Sequence, residues 1–246
     1  MGLREFHEVL PSTQDRAIDL ARSGAEEGTR VVARRQSQGR GRAGREWTSP
    51  EGGLYVSIVL AAPPPPATLL PLGIGTFLAR GLNDRYRTSL RVKWPNDLLA
   101  VTAGGHPRKV AGILVDSVSS PSLGQAVVAG VGINVRVARE AFPAAIANES
   151  ASLHELLPSA PSIDEVEEIA AGAALTARRA LAEPGGTARV RCLCEEMLYG
   201  VGRPVTVDGV RSGRITTLGD EGELLLATGE YRHAVRSGEV RVEEEA

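Results

Sequence analysis

The stretch Gln36-Ser-Gln-Gly-Arg-Gly-Arg-Ala-Gly-Arg-Glu-Trp-Thr-Ser-Pro50 separates two apolar runs, at residues 31–34 and 54–61, that are typical of strands. It is too polar and too rich in glycine for a core, so it predicts a loop. Its glycines allow backbone N–H groups to turn towards one point, as in an anion-binding nest. Its arginines add planar guanidinium donors that suit carboxylate and phosphate groups. The glycines of this loop are Gly39, Gly41 and Gly44, and its arginines are Arg40, Arg42 and Arg45.

Trp47, near the end of this loop, offers a flat surface on which an aromatic base could stack. The alternative is a disordered or nucleic-acid-binding segment, in which Arg40, Arg42, Arg45 and Trp47 would hold a single strand. The composition argues against that alternative, because 28 basic residues are balanced by 30 acidic ones and the net charge is -2.

Lysine is scarce in this chain, and the positions of the two lysines are therefore informative. Lys93 and Lys109 are the only lysines among the 28 basic residues. A lysine kept against such a preference for arginine indicates a place that needs a compact point charge. Lys93 begins the segment Lys-Trp-Pro-Asn-Asp, which predicts a tight corner between two strands within residues 90–101. Asn96 and Asp97 then lie on a rigid corner, where a carboxylate could hold a metal ion, although a structural Asx turn is the alternative.

Two later apolar runs, at residues 110–117 and 126–135, predict further strands. Lys109 opens the first, so its ammonium is expected at the end of the sheet. Gly130, Gly132 and Asn134 lie in the second. Glycines in an apolar strand indicate close approach of a ligand or another backbone, and a bulge with a locally satisfied Asn134 is the alternative.

The rest of the chain predicts an α+β fold. Helices are expected after Ser12 and Thr13, which can cap a helix, and over residues 68–86, with a helical pattern from 138 to 199. Five short strands after Gly200, separated by glycine turns, predict a small antiparallel β-barrel. We therefore expect a mixed β-sheet with helices packed on it in a domain of residues 1–199, and a barrel domain of residues 200–246.

No segment of the sequence indicates export or membrane insertion. The uncharged run at residues 54–79 is cut by the prolines at 63–66 into pieces too short to span a bilayer as a helix. The first residues contain no apolar signal segment. We therefore expect a cytoplasmic protein.

Taken together, the motifs resemble those of the biotin–protein ligase family. Gly-Arg-Gly-Arg-x-Gly-Arg-x-Trp-x-Ser-Pro at residues 39–50 matches the signature of that family. Lys-Trp-Pro-Asn-Asp at 93–97, Lys-x-x-Gly-Ile-Leu at 109–114 and Gly-x-Gly-Ile-Asn at 130–134 follow in the family's order and spacing. Ser12-Thr13 match its N-terminal motif. The resemblance covers essentially the whole chain and implies a biotin/lipoate ligase-like catalytic domain with a small C-terminal β-domain.

The resemblance implies a two-step reaction. Biotin and MgATP would give biotinyl-5′-AMP and pyrophosphate, and the biotinyl group would pass to one lysine of a biotin carboxyl carrier protein, such as that of acetyl-CoA carboxylase. The implied catalytic residues are Lys109, Arg42 and Asp97, with Asp97 as the candidate Mg²⁺ ligand. The implied biotin contacts are Ser12, Thr13, Gln14, Gln36, Arg40, Gly41, Arg42, Lys109 and Gly112. The implied contacts with ATP or the adenylate are Arg40, Arg42, Arg45, Trp47, Asn96, Lys109 and Asn134.

Two positions depart from the family pattern. Gln14 stands where the family usually has Asn, and Asp116 stands where Glu is more usual. The chain begins at the catalytic domain, so we expect no DNA-binding activity. A lipoate–protein ligase, which shares the fold, is the nearest alternative enzyme. The sequence leaves open whether the protein is a monomer or a homodimer.

Overall fold

The computed structural model describes residues 2–64, 66, 68–101 and 106–243. Twelve strands and five α-helices are found in these residues. In chain order they are β1 (Arg4–Leu10), α1 (Thr13–Arg22), β2 (Arg30–Gln36), β3 (Gly53–Ala61), α2 (Leu69–Tyr86), β4 (Leu90–Lys93), β5 (Asp97–Ala100), β6 (Arg108–Ser120), β7 (Gly124–Asn134), α3 (Ala144–Ala147), α4 (Ile163–Ala182), α5 (Gly186–Met197), β8 (Pro204–Val207), β9 (Val210–Leu218), β10 (Leu224–Thr228), β11 (Tyr231–Val235) and β12 (Val240–Val242).

The main sheet has seven strands in the order β1-β2-β3-β7-β6-β5-β4. Only the β1–β2 pair is parallel, so the sheet is mixed, as predicted. The interior strand β3 is buried along nearly its whole length because both faces of the sheet are covered. On one face α1 packs through Ala17 and Ala21 against Val59 and Val128, and the larger core containing α2 and α4 covers the other.

The uncharged run at residues 54–79 contains the expected strand in its first part and the start of the expected helix in its last part. β3 ends at Ala61 and α2 begins at Leu69, while residues 65 and 67 lie outside the described residues. None of the helices in the described part of the chain combines the length and apolar content needed to cross a bilayer.

Two expectations about secondary structure need correction. Strand β1 was not predicted, because it is an edge strand whose exposed residues include the apolar Phe6 and Val9, and no regular alternation marks it. The helical pattern at 138–199 is also interrupted, since residues 157–162 are irregular and contain Pro158 and Pro161, which cannot continue a helix. A turn is also expected from the sequence at residues 102–108, of which residues 102–105 lie outside the described residues.

The five strands predicted after Gly200 are all present and form a second, antiparallel sheet in the order β11-β10-β9-β8-β12. Within the described residues the outer strands β11 and β12 form no ladder with each other, so the sheet is not closed by hydrogen bonds into a barrel. It packs on the main domain, where the Trp94 indole donates its Nε1–H to the Gly222 carbonyl at 2.9 Å. Val205 and Ile215 belong to the same hydrophobic core as α2. The domain boundary at residues 199 and 200 stays a prediction.

The buried carboxylate of Glu167 connects α4 to β1 and β2, the two strands at one edge of the main sheet. Glu167 is only 2% exposed, and its two oxygens accept from Arg4 Nε and Nη2 at 2.8 and 2.7 Å. Arg30 Nε lies 2.9 Å from the same carboxylate. A planar guanidinium that meets both carboxylate oxygens is the geometry in which such a pair is strongest. This contact holds β1 and β2 against the helix layer.

We predict that Glu167→Ala lowers the free energy of unfolding by about 3 kcal/mol, because it removes the buried carboxylate that Arg4 and Arg30 share. Glu168→Ala is the matched control. Glu168 also pairs with Arg30 but is 67% exposed, so its loss should cost less than about 1 kcal/mol. Urea unfolding of both variants measures the difference, and equal losses would contradict the structural role given to Glu167.

Candidate active site

The motif segments meet around a cavity of about 830 Å³. It lies between the main sheet, the corner after β4, the loop between β11 and β12, and residues 37–52, here called the arginine loop. All but one of the predicted site residues line it, namely Thr13, Gln14, Gln36, Arg40, Gly41, Arg42, Arg45, Trp47, Asn96, Asp97, Lys109, Gly112 and Asn134. Ser12 is the exception. It is the N-cap of α1, where its hydroxyl accepts from Asp15 N at 3.4 Å.

The floor of the cavity is a patch of sheet without side chains, on which the Trp47 indole lies. Gly112 of β6 is directly opposite Gly132 of β7. A Cβ atom added to Gly132 would lie 2.5 Å from Trp47 Cε2, and one added to Gly112 would lie 2.8 Å from Cζ3. The close approach that these glycines predicted is therefore made by a side chain of the arginine loop. Trp47 Nε1 is buried with no hydrogen-bond partner among the described residues, so it can donate to a ligand.

Two lysines and one carboxylate form the charged end of the cavity. Lys109 Nζ lies 2.8 Å from Asp97 Oδ1 and 5.0 Å from the centroid of the Trp47 ring. Lys93 is the more buried lysine, and burial lowers the pKa of its ammonium. Asp97 opposes that shift and Lys109 adds to it. The site therefore concentrates positive charge where little water is available to screen it.

The corner after β4 is fixed by hydrogen bonds to β6. The Asn96 carbonyl accepts from Ile113 N at 2.9 Å, and Asn96 Nδ2 donates to the Ile113 carbonyl at 2.8 Å. Asn96 Oδ1 accepts from Arg42 Nη1 at 3.1 Å. Burial lowers the pKa of Arg42, and Asp97 raises it. Asn96 thus fixes the corner against β6 and also binds Arg42 of the arginine loop.

Asp97 is also the residue to test as a metal ligand. No group of three His, Cys, Asp or Glu side chains that could hold a metal is found in the described residues. Mg²⁺ bound with a nucleotide commonly uses one or two carboxylates and completes its octahedron with phosphate oxygens and water. A single carboxylate on a fixed corner of a wide cavity fits that arrangement.

A chain of hydrogen bonds forms the wall next to α1. Gln36 Oε1 accepts from Thr13 N and Oγ1 at 2.8 and 3.0 Å, and Gln36 Nε2 donates to Ser49 Oγ at 2.8 Å. Thr13 Oγ1 is also 2.9 Å from Ser57 Oγ. Ser57, which lines the cavity, was not predicted, because a lone serine in an apolar strand has no distinguishing sequence signal.

Asn134 lies at the end of β7 and is 4% exposed. Its Nδ2 donates to the Ala151 carbonyl at 3.2 Å and to the Lys109 carbonyl at 3.4 Å. Part of its hydrogen-bonding capacity is therefore used to hold the backbone beside Lys109, in agreement with a locally satisfied Asn.

The two outer arginines of the loop are paired with carboxylates from other elements. Arg40 Nη1 donates to Asp15 Oδ1 at 2.6 Å, and Arg40 Nη2 is 3.2 Å from Asp116 Oδ2. Arg45 Nη1 is 3.6 Å from Glu239 Oε2, in the loop between β11 and β12. Glu239 was not predicted as a site residue, because no local motif marks a carboxylate that reaches the cavity from the second sheet.

Comparisons with known proteins agree with these motifs. The family model described as the biotin/lipoate A/B protein ligase family matches residues 6–134. The bifunctional ligase/repressor BirA of Bacillus subtilis is 30% identical over 246 residues, covering 96% of this chain and 73% of that protein. The biotin–[acetyl-CoA-carboxylase] ligase of Paracoccus denitrificans is 38% identical over 136 residues, 53% of each chain. The biotin protein ligase from Aquifex aeolicus in complex with biotin and ATP superimposes with a TM-score of 0.82, at 27% identity over 99% of both chains.

We predict that Gly132→Ala displaces the Trp47 indole from the cavity floor, because the added Cβ would overlap the ring. Tryptophan emission should shift to longer wavelength and become easier to quench with acrylamide, since Trp94, the only other tryptophan, stays in the core. Gly172→Ala is the control, because a Cβ there meets nothing within 4 Å and should stabilise α4 by up to about 1 kcal/mol. Unchanged emission in Gly132→Ala would contradict the glycine floor.

Proposed function

The chain belongs to the biotin/lipoate A/B protein ligase family, and on that premise we propose that it is an ATP-dependent biotin–protein ligase. The biotin carboxylate attacks the α-phosphorus of ATP, which forms biotinyl-5′-AMP and releases pyrophosphate. The ε-amine of a carrier lysine then attacks the acyl carbon. An amide forms, AMP leaves, and the amine gives up a proton. The observation that carries the proposal is the cavity at which Lys109, Arg42 and Trp47 converge.

The first step brings a carboxylate up to a polyphosphate, so negative charges must be neutralised before they can meet. Lys109, Lys93 and Arg42 are cations that face this cavity. The partial burial of Lys93 and Arg42 makes their charge more effective towards an anion than it would be in water. Lys109 is the residue that we assign to the gap between the biotin carboxylate and the α-phosphate. Asp97 Oδ1 lies 2.8 Å from its ammonium.

The two substrates are assigned to opposite ends of the cavity. The hydrogen-bonding wall of Thr13 and Gln36 supports a polar ring head, which is the part of biotin that carries its ureido group. Trp47 and Asn134 support an assignment of the other end to adenine, because an indole offers a stacking face and an amide reads a base edge. The residues proposed for biotin are those of the expected set that line the cavity, namely Thr13, Gln14, Gln36, Arg40, Gly41, Arg42, Lys109 and Gly112, while Ser12 caps α1 beside them. The full set proposed for ATP or the adenylate is Arg40, Arg42, Arg45, Trp47, Asn96, Lys109 and Asn134.

We assign Asp97 as the protein ligand of the Mg²⁺ that accompanies ATP. When bound, that ion supplies charge neutralisation at the phosphate oxygens. Asp97 also pairs with Lys109, so the carboxylate that would hold the ion determines where the ammonium lies.

The acceptor that we propose is a lysine of a biotin carboxyl carrier protein. The Paracoccus relative, whose name specifies acetyl-CoA carboxylase, supports this choice of partner. A mixed anhydride is hydrolysed by water, so the arginine loop must cover it until the carrier arrives.

The experiment that tests the proposal is isotope exchange between pyrophosphate and ATP with the purified chain. Exchange should depend on biotin and saturate with it. Exchange that requires lipoate in place of biotin would identify the alternative enzyme of this family, and no exchange with either acid would overturn a ligase function.

We predict that Lys109→Arg leaves the fold intact but slows biotin-dependent exchange at least about tenfold, equivalent to about 1.4 kcal/mol of transition-state stabilisation. A guanidinium is too broad for the space that Lys109 Nζ occupies between Asp97 and the Trp47 ring. Arg108→Lys is the matched control, because its neighbour Arg108 pairs with Glu155 at 2.6 Å outside the cavity lining. Wild-type exchange in Lys109→Arg would remove Lys109 from the mechanism.

We predict that Arg42→Ala releases biotinyl-AMP about tenfold faster, because the loop loses a charge-assisted bond to the bound anion. The measurement is the rate at which free biotinyl-AMP accumulates without a carrier. Arg189→Ala is the control, since Arg189 pairs with Glu183 at 2.8 Å and does not line the cavity. An unchanged rate in Arg42→Ala would count against a covering role for this arginine.

A further inference from the structure

Arg40 is the first arginine of the arginine loop, and Asp116 joins it to the wall of the cavity. Asp116 Oδ2 lies 3.2 Å from Arg40 Nη2 and accepts from Gln14 Nε2, also at 3.2 Å. The Arg40 side chain is 40% exposed and that of Asp116 28% exposed. One carboxylate oxygen thus contacts both a cation of the arginine loop and an amide of α1.

The hydrogen-bonded chain that begins at Asp116 runs to the far end of the same loop. Gln14 Oε1 accepts from Ser57 Oγ at 3.0 Å. Ser57 Oγ lies 2.9 Å from Thr13 Oγ1, and the Thr13 backbone N–H donates to Gln36 Oε1 at 2.8 Å. Gln36 reaches Ser49, whose hydroxyl donates to the Trp47 carbonyl at 2.9 Å. Both ends of the arginine loop are therefore tied to one polar network, and that network passes through the wall assigned to the head of biotin.

Gln14 has no freedom to take another position. It is 3% exposed, and its Nε2 also donates to the Val128 carbonyl at 2.9 Å. Its Oε1 lies 2.5 Å from the point that a Cβ on Gly130 would occupy, so the amide fills the space that this glycine leaves. Both amide groups are thus engaged inside the protein, where Gln14 holds Asp116 and Ser57.

The two departures from the family pattern noted in the sequence are thus in direct contact with each other. Gln14 is one methylene longer than Asn, and Asp116 is one methylene shorter than Glu. The combined reach of the pair is therefore the same as that of Asn with Glu. An unchanged combined length of the two side chains keeps the Asp116 carboxylate at the same point. That carboxylate faces Arg40.

We propose that Asp116 is a positioning residue that holds Arg40, and with it the start of the arginine loop, against the cavity, and that Gln14 sets the position of Asp116. This inference rests on the proposed ligase function for its ligand, which is biotin. Loss of the Asp116 contact should allow the loop to open, so biotin and its adenylate should escape more easily. The chemical step, which Lys109 serves, should change little.

The first test needs no ligand and compares trypsin cleavage after Arg40 in Asp116→Asn and in wild type. Cleavage in the variant should be about fivefold faster, because Arg40 keeps only the exposed partner Asp15. Asp19→Asn is the control, since Asp19 pairs with Arg22 and should leave the cleavage rate unchanged. Equal cleavage of Asp116→Asn and wild type would overturn the proposal.

The second test is a double-mutant cycle on biotin binding, measured by calorimetry, with Gln14→Asn, Asp116→Glu and the two combined. Each single change should raise the Kd for biotin about fivefold, and the double variant should recover most of the loss. In the exchange assay, KM for biotin should follow Kd while kcat stays within about twofold. Effects that simply multiply in the double variant would overturn the matched pair. Failure of the wild type to bind biotin would refute the ligase function and leave the trypsin result to decide the role of Asp116.

Discussion

The contact between the Trp47 indole and two facing glycines is the constraint on which the rest of the site depends. Because Gly112 and Gly132 pair in register, β6 and β7 offer bare backbone to a flat ring. The position of the Trp47 ring determines where the end of the arginine loop lies. It also fixes how close the Lys109 ammonium can come to Asp97, since the lysine crosses the ring face. A side chain larger than hydrogen at either glycine would lift the ring, and the loop and the lysine would have to move with it.

Two positively charged side chains at the cavity, Lys109 and Arg42, are each held by a neighbouring acidic or amide side chain. Each of these two cations is held by a partner that a substrate can replace or supplement. Lys109 is held by Asp97 and Arg42 by Asn96. Such pairing keeps like charges apart in the empty protein and makes the same groups available to a bound anion, at the cost of breaking ion pairs that are only partly exposed. The site is thus built to accept negative charge without being strongly repulsive to itself before the substrates arrive.

Local patterns were sufficient for most of the fold and of the site. The loop, the corner and the two glycines of β7 were found because each lies in one short local motif, and so were all five strands of the second sheet. What could not be found depends on distance in space. Strand β1 is recognisable only once Glu167 and β2 are in place, and Glu239 reaches the cavity from a strand connection more than 190 residues after Arg45 in sequence. The link from Gln14 to Asp116 likewise joins residues 102 positions apart, and two unusual residues at separate motifs gave no sign that they touch.

Both lysines of the chain line the cavity, and so the rest of the protein surface carries no ε-amine. The outer charge is borne by guanidinium groups, which do not react with acyl donors under ordinary conditions. Beyond the cavity, an activated acyl group made by such an enzyme therefore meets lysine ε-amines only on other proteins. The same distribution makes the molecule almost silent to amine-directed reagents except at its centre. The N-terminal amine aside, chemical labelling of this chain would report on the occupancy of one site.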